Sequence, residues 1–117
     1  MITPKQKELI DKLLELTEAN KAIWEKHITP KSFIFRVNDV RYIVNSYKTS
    51  VNNDVFDCIA LNIISNNGKI NENCIGCSDV EYIDDYKELK RLYDAVINQY
   101  TQNDDKEIGN LLQALPR

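Results

Sequence analysis

VFDCIALNII, residues 55–64, decides the fold. Read two residues at a time, Phe56, Cys58 and Ala60 fall on one side and Ile59, Leu61 and Ile63 on the other. Apolar character on both sides suits a central strand covered, at least in part, on both faces. Ile59 and Leu61 are therefore expected to be inaccessible, one beneath helices and the other beneath a second apolar cover. Downstream, Asn66-Asn67-Gly68 is a turn in which Gly68 supplies the positive φ, and residues 69–75 form a polar edge strand. Upstream, residues 50–53 read as a polar loop. Residues 40–47 and 32–37 are two runs split by Asn38-Asp39, the pattern of a tight hairpin. Phe33, Phe35 and Val37 alternate against Ser32, Ile34 and Arg36. Before Pro30, residues 22–28 alternate loosely around Trp24, giving a further strand.

Helical signals flank this sheet. Thr3 can cap, Pro4 suits the first helical position and Gln6 completes a capping box. Leu9, Ile10, Leu13, Leu14 and Leu16 then follow at helical spacing, and Asn20 suits the helix end. A second helix is expected over residues 85–100, opened by Asp85 and Glu88, with Leu89, Leu92, Tyr93, Val96, Ile97 and Tyr100 as its buried face. Residues 103–105 read as a break. Asp104 and Glu107 then start a short third helix whose stripe is Ile108, Leu111, Leu112 and Leu115. That stripe is expected to cap the core of its own chain, with a homodimer as the alternative. The order α-β-β-β-β-β-α-α makes residues 1–117 a single α+β domain, an antiparallel sheet of four to five strands packed against N- and C-terminal helices.

Composition narrows the function classes. Of 117 residues, 43% are apolar and 28% charged, which excludes wholesale disorder. No apolar run is long enough to span a bilayer, and the amphipathic start has no signal-peptide core, so a cytoplasmic protein with no membrane contact is expected. The net charge of −3 is concentrated in residues 79–117, which hold nine acids and five bases. No basic stripe suits nucleic acid; a basic protein partner fits the acidity better. Ile, Asn and Lys are abundant, which points to AT-rich coding.

The run LLELTEANKAIWEKH, residues 13–27, resembles the opening of a group of small uncharacterised bacterial and phage-borne α+β proteins. Their pattern is a helix ending near a Thr, a Trp-bearing strand, an antiparallel meander, a late Gly turn and a Leu-x-x-Leu-Tyr helix. Here those features are Thr17, Trp24, Asn67-Gly68 and Leu89 to Tyr93, and the short last helix over residues 105–115 also fits. Asn20 stands where Gly is common and can fill the same backbone role. The resemblance implies a shared fold and no activity.

Cys74-Ile75-Gly76-Cys77 is the one motif with chemical promise. Its spacing can hold a metal or a redox pair, and Cys58 and His27 would complete a Cys3His set. The donors would have to converge from separate strands, so three reduced, structural cysteines are expected, with no metal and no cofactor. Asp54/Asp57, Asp84/Asp85 and Asp104/Asp105 are carboxylate pairs, the last two placed at expected helix starts. Tyr42, Tyr47, Tyr82, Tyr86, Tyr93 and Tyr100 are many for this length, and Tyr is enriched at interfaces. Tyr93, Tyr100, Ile108, Leu111, Leu112 and Leu115 are the interface candidates. The reading is a non-catalytic protein-binding module of immunity, antitoxin or phage-accessory type, monomeric by preference. Its alternative is a small Cys-dependent metal or redox protein.

Overall fold

A computed structural model describes residues 2–79, 81 and 83–116. It has an α+β architecture: α1 (Pro4–Glu18), five strands in one antiparallel sheet, and α2 (Ile83–Ala114). The strands are β1 (Glu25–Lys26), β2 (Ser32–Val37), β3 (Val40–Val51), β4 (Asp54–Ser65) and β5 (Asn71–Cys77), and each pairs with its sequence neighbour.

The capping box of α1 forms as its residues require. Thr3 Oγ1 accepts from the Gln6 amide at 3.1 Å, and Gln6 Oε1 accepts from the Thr3 amide at 3.0 Å. The helix ends where Asn20 takes φ +58°, which lets Lys21 N donate to Leu16 O at 2.8 Å. Asn38 and Asp39, at φ +50° and +65°, make the expected two-residue hairpin turn. Asn52 and Asn53, at +51° and +72°, make a second one. The expected polar loop over residues 50–53 is therefore the end of β3 and a tight turn. With no loop between them, β3 and β4 pair over their full length, from Val40↔Ser65 to Val51↔Asp54. The strand expected over residues 22–28 shrinks to Glu25–Lys26, because Ala22 and Trp24 face the core from irregular backbone.

β4 is an interior strand between β3 and β5, as its apolar pattern requires. Ile59 and Leu61 are 3% and 0% exposed. Being two residues apart they share a face, and both lie in the core that α1 and α2 cover. The expected second cover is absent among the described residues. On the opposite face Cys58 and Ala60 are buried instead between their cross-strand neighbours, Tyr47 and Cys77 for one, Asn45 and Ile75 for the other. The core itself joins Ile10, Leu13 and Leu14 of α1 to Leu89, Leu92 and Val96 of α2 over Phe33, Val44, Leu61 and Ile63.

The largest departure lies at the C-terminus. The expected break and third helix are one continuous helix of 32 residues. Asn103, Asp104 and Asp105 are poor helix formers, but each costs only about half a kcal/mol, and no proline interrupts the run. Asp85 does not cap the helix. It sits in the first turn and accepts from the Ile2 amide at 3.1 Å. At 1.5 Å per residue α2 is roughly 48 Å long, against a longest molecular dimension of 57 Å. Its buried side chains stop at Gln99, Tyr100 still packs on the core, and only the last two turns, from Ile108 on, project beyond the sheet and α1.

The start of α2 rests directly on β5. A Cβ placed on Gly76 would lie 2.6 Å from Tyr86 Cα and closer still to the Asp85 carbonyl carbon and Tyr86 nitrogen. Only glycine lets the strand and the helix approach this far.

Candidate functional site

The cysteines are divided by strand geometry. Positions three apart on a strand point to opposite faces, so Cys74 enters the core and Cys77 lies on the far side of the sheet. Cys77 stands directly across from Cys58, with Cα atoms 4.1 Å apart, and the two form a disulfide spanning 19 residues. The expectation of three reduced cysteines is thereby corrected. Sequence spacing gave no sign of the pair, because it depends on the β4–β5 register. Cys74 is free and 3% exposed. His27 follows β1 at one edge of the sheet, whereas Cys74 and Cys77 belong to β5 at the other. The Cys3His set is not assembled, and no group of three metal-binding side chains converges among the described residues.

Thiol counting checks this arrangement. Without reductant, the folded chain should expose no reactive thiol, the denatured chain one, and the reduced denatured chain all three. Reduction should also lower stability by about 3 kcal/mol, the loop-closure value for a bridge of this span.

Burial pushes the Cys74 thiol up, helped by Glu72 and Asp85. Burial likewise raises Tyr93, with Asp94 adding to it. Both groups fold best in their neutral forms. Their contribution is complete below the unfolded thiol and phenol ranges and is lost as pH rises through the raised folded values. The urea midpoint should therefore hold steady to about pH 8.5 and fall above it.

The carboxylate pairs do not converge either. Asp57 faces Lys48 at 3.7 Å, while Asp54 is exposed at the hairpin tip. Asp84 and Asp85 lie in the first turn of α2, where acids are favourable. Asp104 and Asp105 are exposed in mid-helix, not at a helix start.

Four of the tyrosines are taken up by the fold, Tyr42 and Tyr86 against the rim of the core and the interface candidates Tyr93 and Tyr100 beside Phe33. Tyr93 is buried, donates its hydroxyl to Lys31 O at 2.9 Å and meets Phe33 edge-on. Tyr100 packs on Phe33 with centroids 5.4 Å apart, and Lys26 Nζ lies over both rings. Tyr82 is outside the described residues. Beside these rings is a buried polar cluster that periodicity alone did not single out. Gln99 Oε1 accepts from Trp24 N at 2.9 Å, and its Nε2 donates to Ala22 O and, at 3.3 Å, to Thr17 O. Trp24 Nε1 donates to Thr17 Oγ1 at 2.9 Å, and that hydroxyl donates to Leu13 O at 2.6 Å. The available signal was a Gln three residues after Val96 on an otherwise apolar face. These bonds knit the end of α1, the following loop and the middle of α2. They also give Thr17 and Trp24 a structural purpose.

A cleft of about 640 Å³ opens beside this cluster, between α1 and α2. Asn20, Asn98, Gln102 and Asn103 line it with Glu18, Arg91 and Asp94, a wet amide-rich wall with no pair of groups set for acid–base exchange.

The remaining candidates form a surface. Ile108 is 47% exposed, and Leu111, Leu112 and Leu115 are 63–67% exposed. The expectation that they cap their own core fails, because a continuous α2 carries them away from it. Their direction differs from that of the core face. Leu89, Leu92 and Val96 point about a third of a turn away from the line of Ile108, Leu111 and Leu115. Ile97, 36% exposed, lies on that second line rather than in the core where it was expected. So α2 has one apolar face for its own domain and another left open. No helix among the described residues is long and apolar enough to cross a membrane. Comparison of the chain with family models, with curated proteins and with solved structures gives no match.

Proposed function

We propose that this chain works by binding another protein chain rather than by catalysis, and that the projecting end of α2 is its binding element. The observation that carries this reading is the exposed stripe of Ile108, Leu111 and Leu112 on a helix that outruns its own domain, continued by Leu115 just past the helix end. Apolar clusters of this kind mark interaction sites. Asp104, Asp105 and Glu107, with Lys106 among them, make a net acidic band just before the stripe, which suits a basic partner and a role of the immunity, antitoxin or phage-accessory type for this chain. The metal or redox alternative gains nothing from side chains that the sheet holds on opposite faces.

An apolar photo-cross-linking residue at Leu112, within the stripe, compared with one at Lys5 on exposed α1, tests the reading in cells that express the chain. Protein adducts from Leu112 and not from Lys5 support it; none from either position overturns it. The cytoplasm expected from the sequence conflicts with the Cys58–Cys77 bond, and the state of that bond in the cell decides the placement. A Cys58–Cys77 bond found in protein isolated with thiols blocked at lysis would move it to an oxidising compartment.

A further inference from the structure

We infer that the exposed end of α2 pairs with the same segment of a second copy, antiparallel, about a twofold axis passing between Leu111 and Leu112. The inference rests on the protein-binding reading above and assigns the apolar stripe to a second copy, leaving the acidic band to a basic partner. Residues 108–116 contain no charged side chain, so the stripe itself carries no sign for a partner to complement. It does match itself. Turned about that axis, Ile108 of one copy meets Leu115 of the other, and Leu111 meets Leu112. Both apolar lines are then buried without a polar group entering the seam.

Charge selects the direction. A parallel pair would set residues 104–107 of one helix, Asp-Asp-Lys-Glu with a net charge of −2, beside the same band of the other. The antiparallel pair places the two bands at opposite ends of the contact, roughly 20 Å apart at 1.5 Å per residue. That exceeds the Debye length at physiological salt, so their repulsion is largely screened. The acids also stay outside the seam, free for a basic partner.

Size sets the strength. A contact of two turns of helix on each side falls below the standard size of specific interfaces, so dissociation at the weak end of the micromolar range is expected. The geometry is accessible, because the projecting turns stand clear of the sheet and α1 and the two domains lie at opposite ends of the joined helices. A monomer was the sequence expectation because a short third helix could fold back onto its own core. A continuous α2 removes that route.

Sedimentation of the full chain from about 5 to about 500 µM tests the pairing. The expected result is a monomer–dimer equilibrium in the micromolar range. Leu111→Glu/Leu112→Glu should weaken it by about 100-fold or more, with unchanged circular dichroism and melting midpoint, because neither side chain belongs to the core. Leu111→Met/Leu112→Met should keep the dimer. Mixing Ile108→Cys with Leu115→Cys under mild oxidation should join the two variants to each other and neither to itself. A wild-type monomer at the highest concentration overturns the inference, as does a dimer that survives the Glu substitutions or an Ile108→Cys chain bridged to its own kind. The cross-linker at Leu112 separates the two readings. Adducts with a different protein from a monomeric chain overturn the pairing and leave the binding role standing, whereas no adduct removes both.

Discussion

Gly76→Ala should destabilise the protein by about 3 kcal/mol or more, the upper end of overpacking penalties. The added methyl group would land on the backbone of Asp85 and Tyr86, not on a side chain that could turn aside. To make room, the first turns of α2 must lift from β5. That loosens Leu89 and Leu92 from the core and pulls Asp85 from the Ile2 amide. For a chain of this length the melting midpoint should fall on the order of 10 °C or more. Gly109→Ala is the control, since nothing lies within 4 Å of the position where its Cβ would be. There the same substitution should raise the midpoint slightly or leave it unchanged, because alanine is the better helix former. Thermal unfolding of the two variants, followed by circular dichroism, makes the comparison. Equal and small effects at both glycines would show that the β5–α2 contact is looser than the structure has it.

Gln99→Leu should cost about 2–5 kcal/mol, although leucine fits the volume and is more apolar. It leaves the Trp24 amide and the Ala22 carbonyl buried with no partner, while Thr17 O keeps its bond from Asn20 N. Each stranded group contributes about 1–3 kcal/mol of lost solvation. Gln99→Glu adds a diagnostic pH dependence. A carboxylate there can accept from Trp24 N but meets the carbonyl oxygens of Ala22 and Thr17 with the wrong sign. Its folded pKa should therefore lie above the unfolded value of about 4.3. The neutral acid can donate as the amide does. The variant's stability relative to the parent should accordingly be greatest below about pH 4 and decline as pH rises through the folded value. Urea midpoints of both proteins across that range check it, and a gap that widens toward acid would refute the assigned bonding.

These two positions also show how much the sequence conveys. Local chemistry was legible wherever one residue type has one use. The Thr3-Pro4-Gln6 cap, the Asn20 terminus, the Asn38-Asp39 turn and the interior place of β4 all form as read, although β4 has helices over one face only. Asn52-Asn53 carried the same turn chemistry but was hidden by the polar residues around it. What could not be read depends on register or distance. The Cys58–Cys77 bond follows from which residues β4 and β5 place side by side. Gly76 in a strand and Gln99 on an apolar face were visible irregularities, but each meaning lies in an element far away in sequence. The end of α2 was misjudged for a different reason. Asn and Asp favour helix ends, yet three of them cost less than stopping and restarting a helix.

The strand order has a kinetic consequence. Because every strand pairs with the one before it, the sheet can zip up one hairpin at a time, closing only short loops at each step. The positive-φ turns at Asn38-Asp39 and Asn52-Asn53 are natural starting points for that growth. Docking of the two helices is different in kind: Ile2 must find Asp85 and Trp24 must find Gln99, 83 and 75 residues away along the chain. The meander can therefore form early and the helix pair close late. In that order the Thr17–Trp24–Gln99 cluster acts as the latch of the native state. Substitutions there would speed unfolding far more than they slow folding, and the lifetime of the folded molecule would be set by a few buried hydrogen bonds rather than by the sheet.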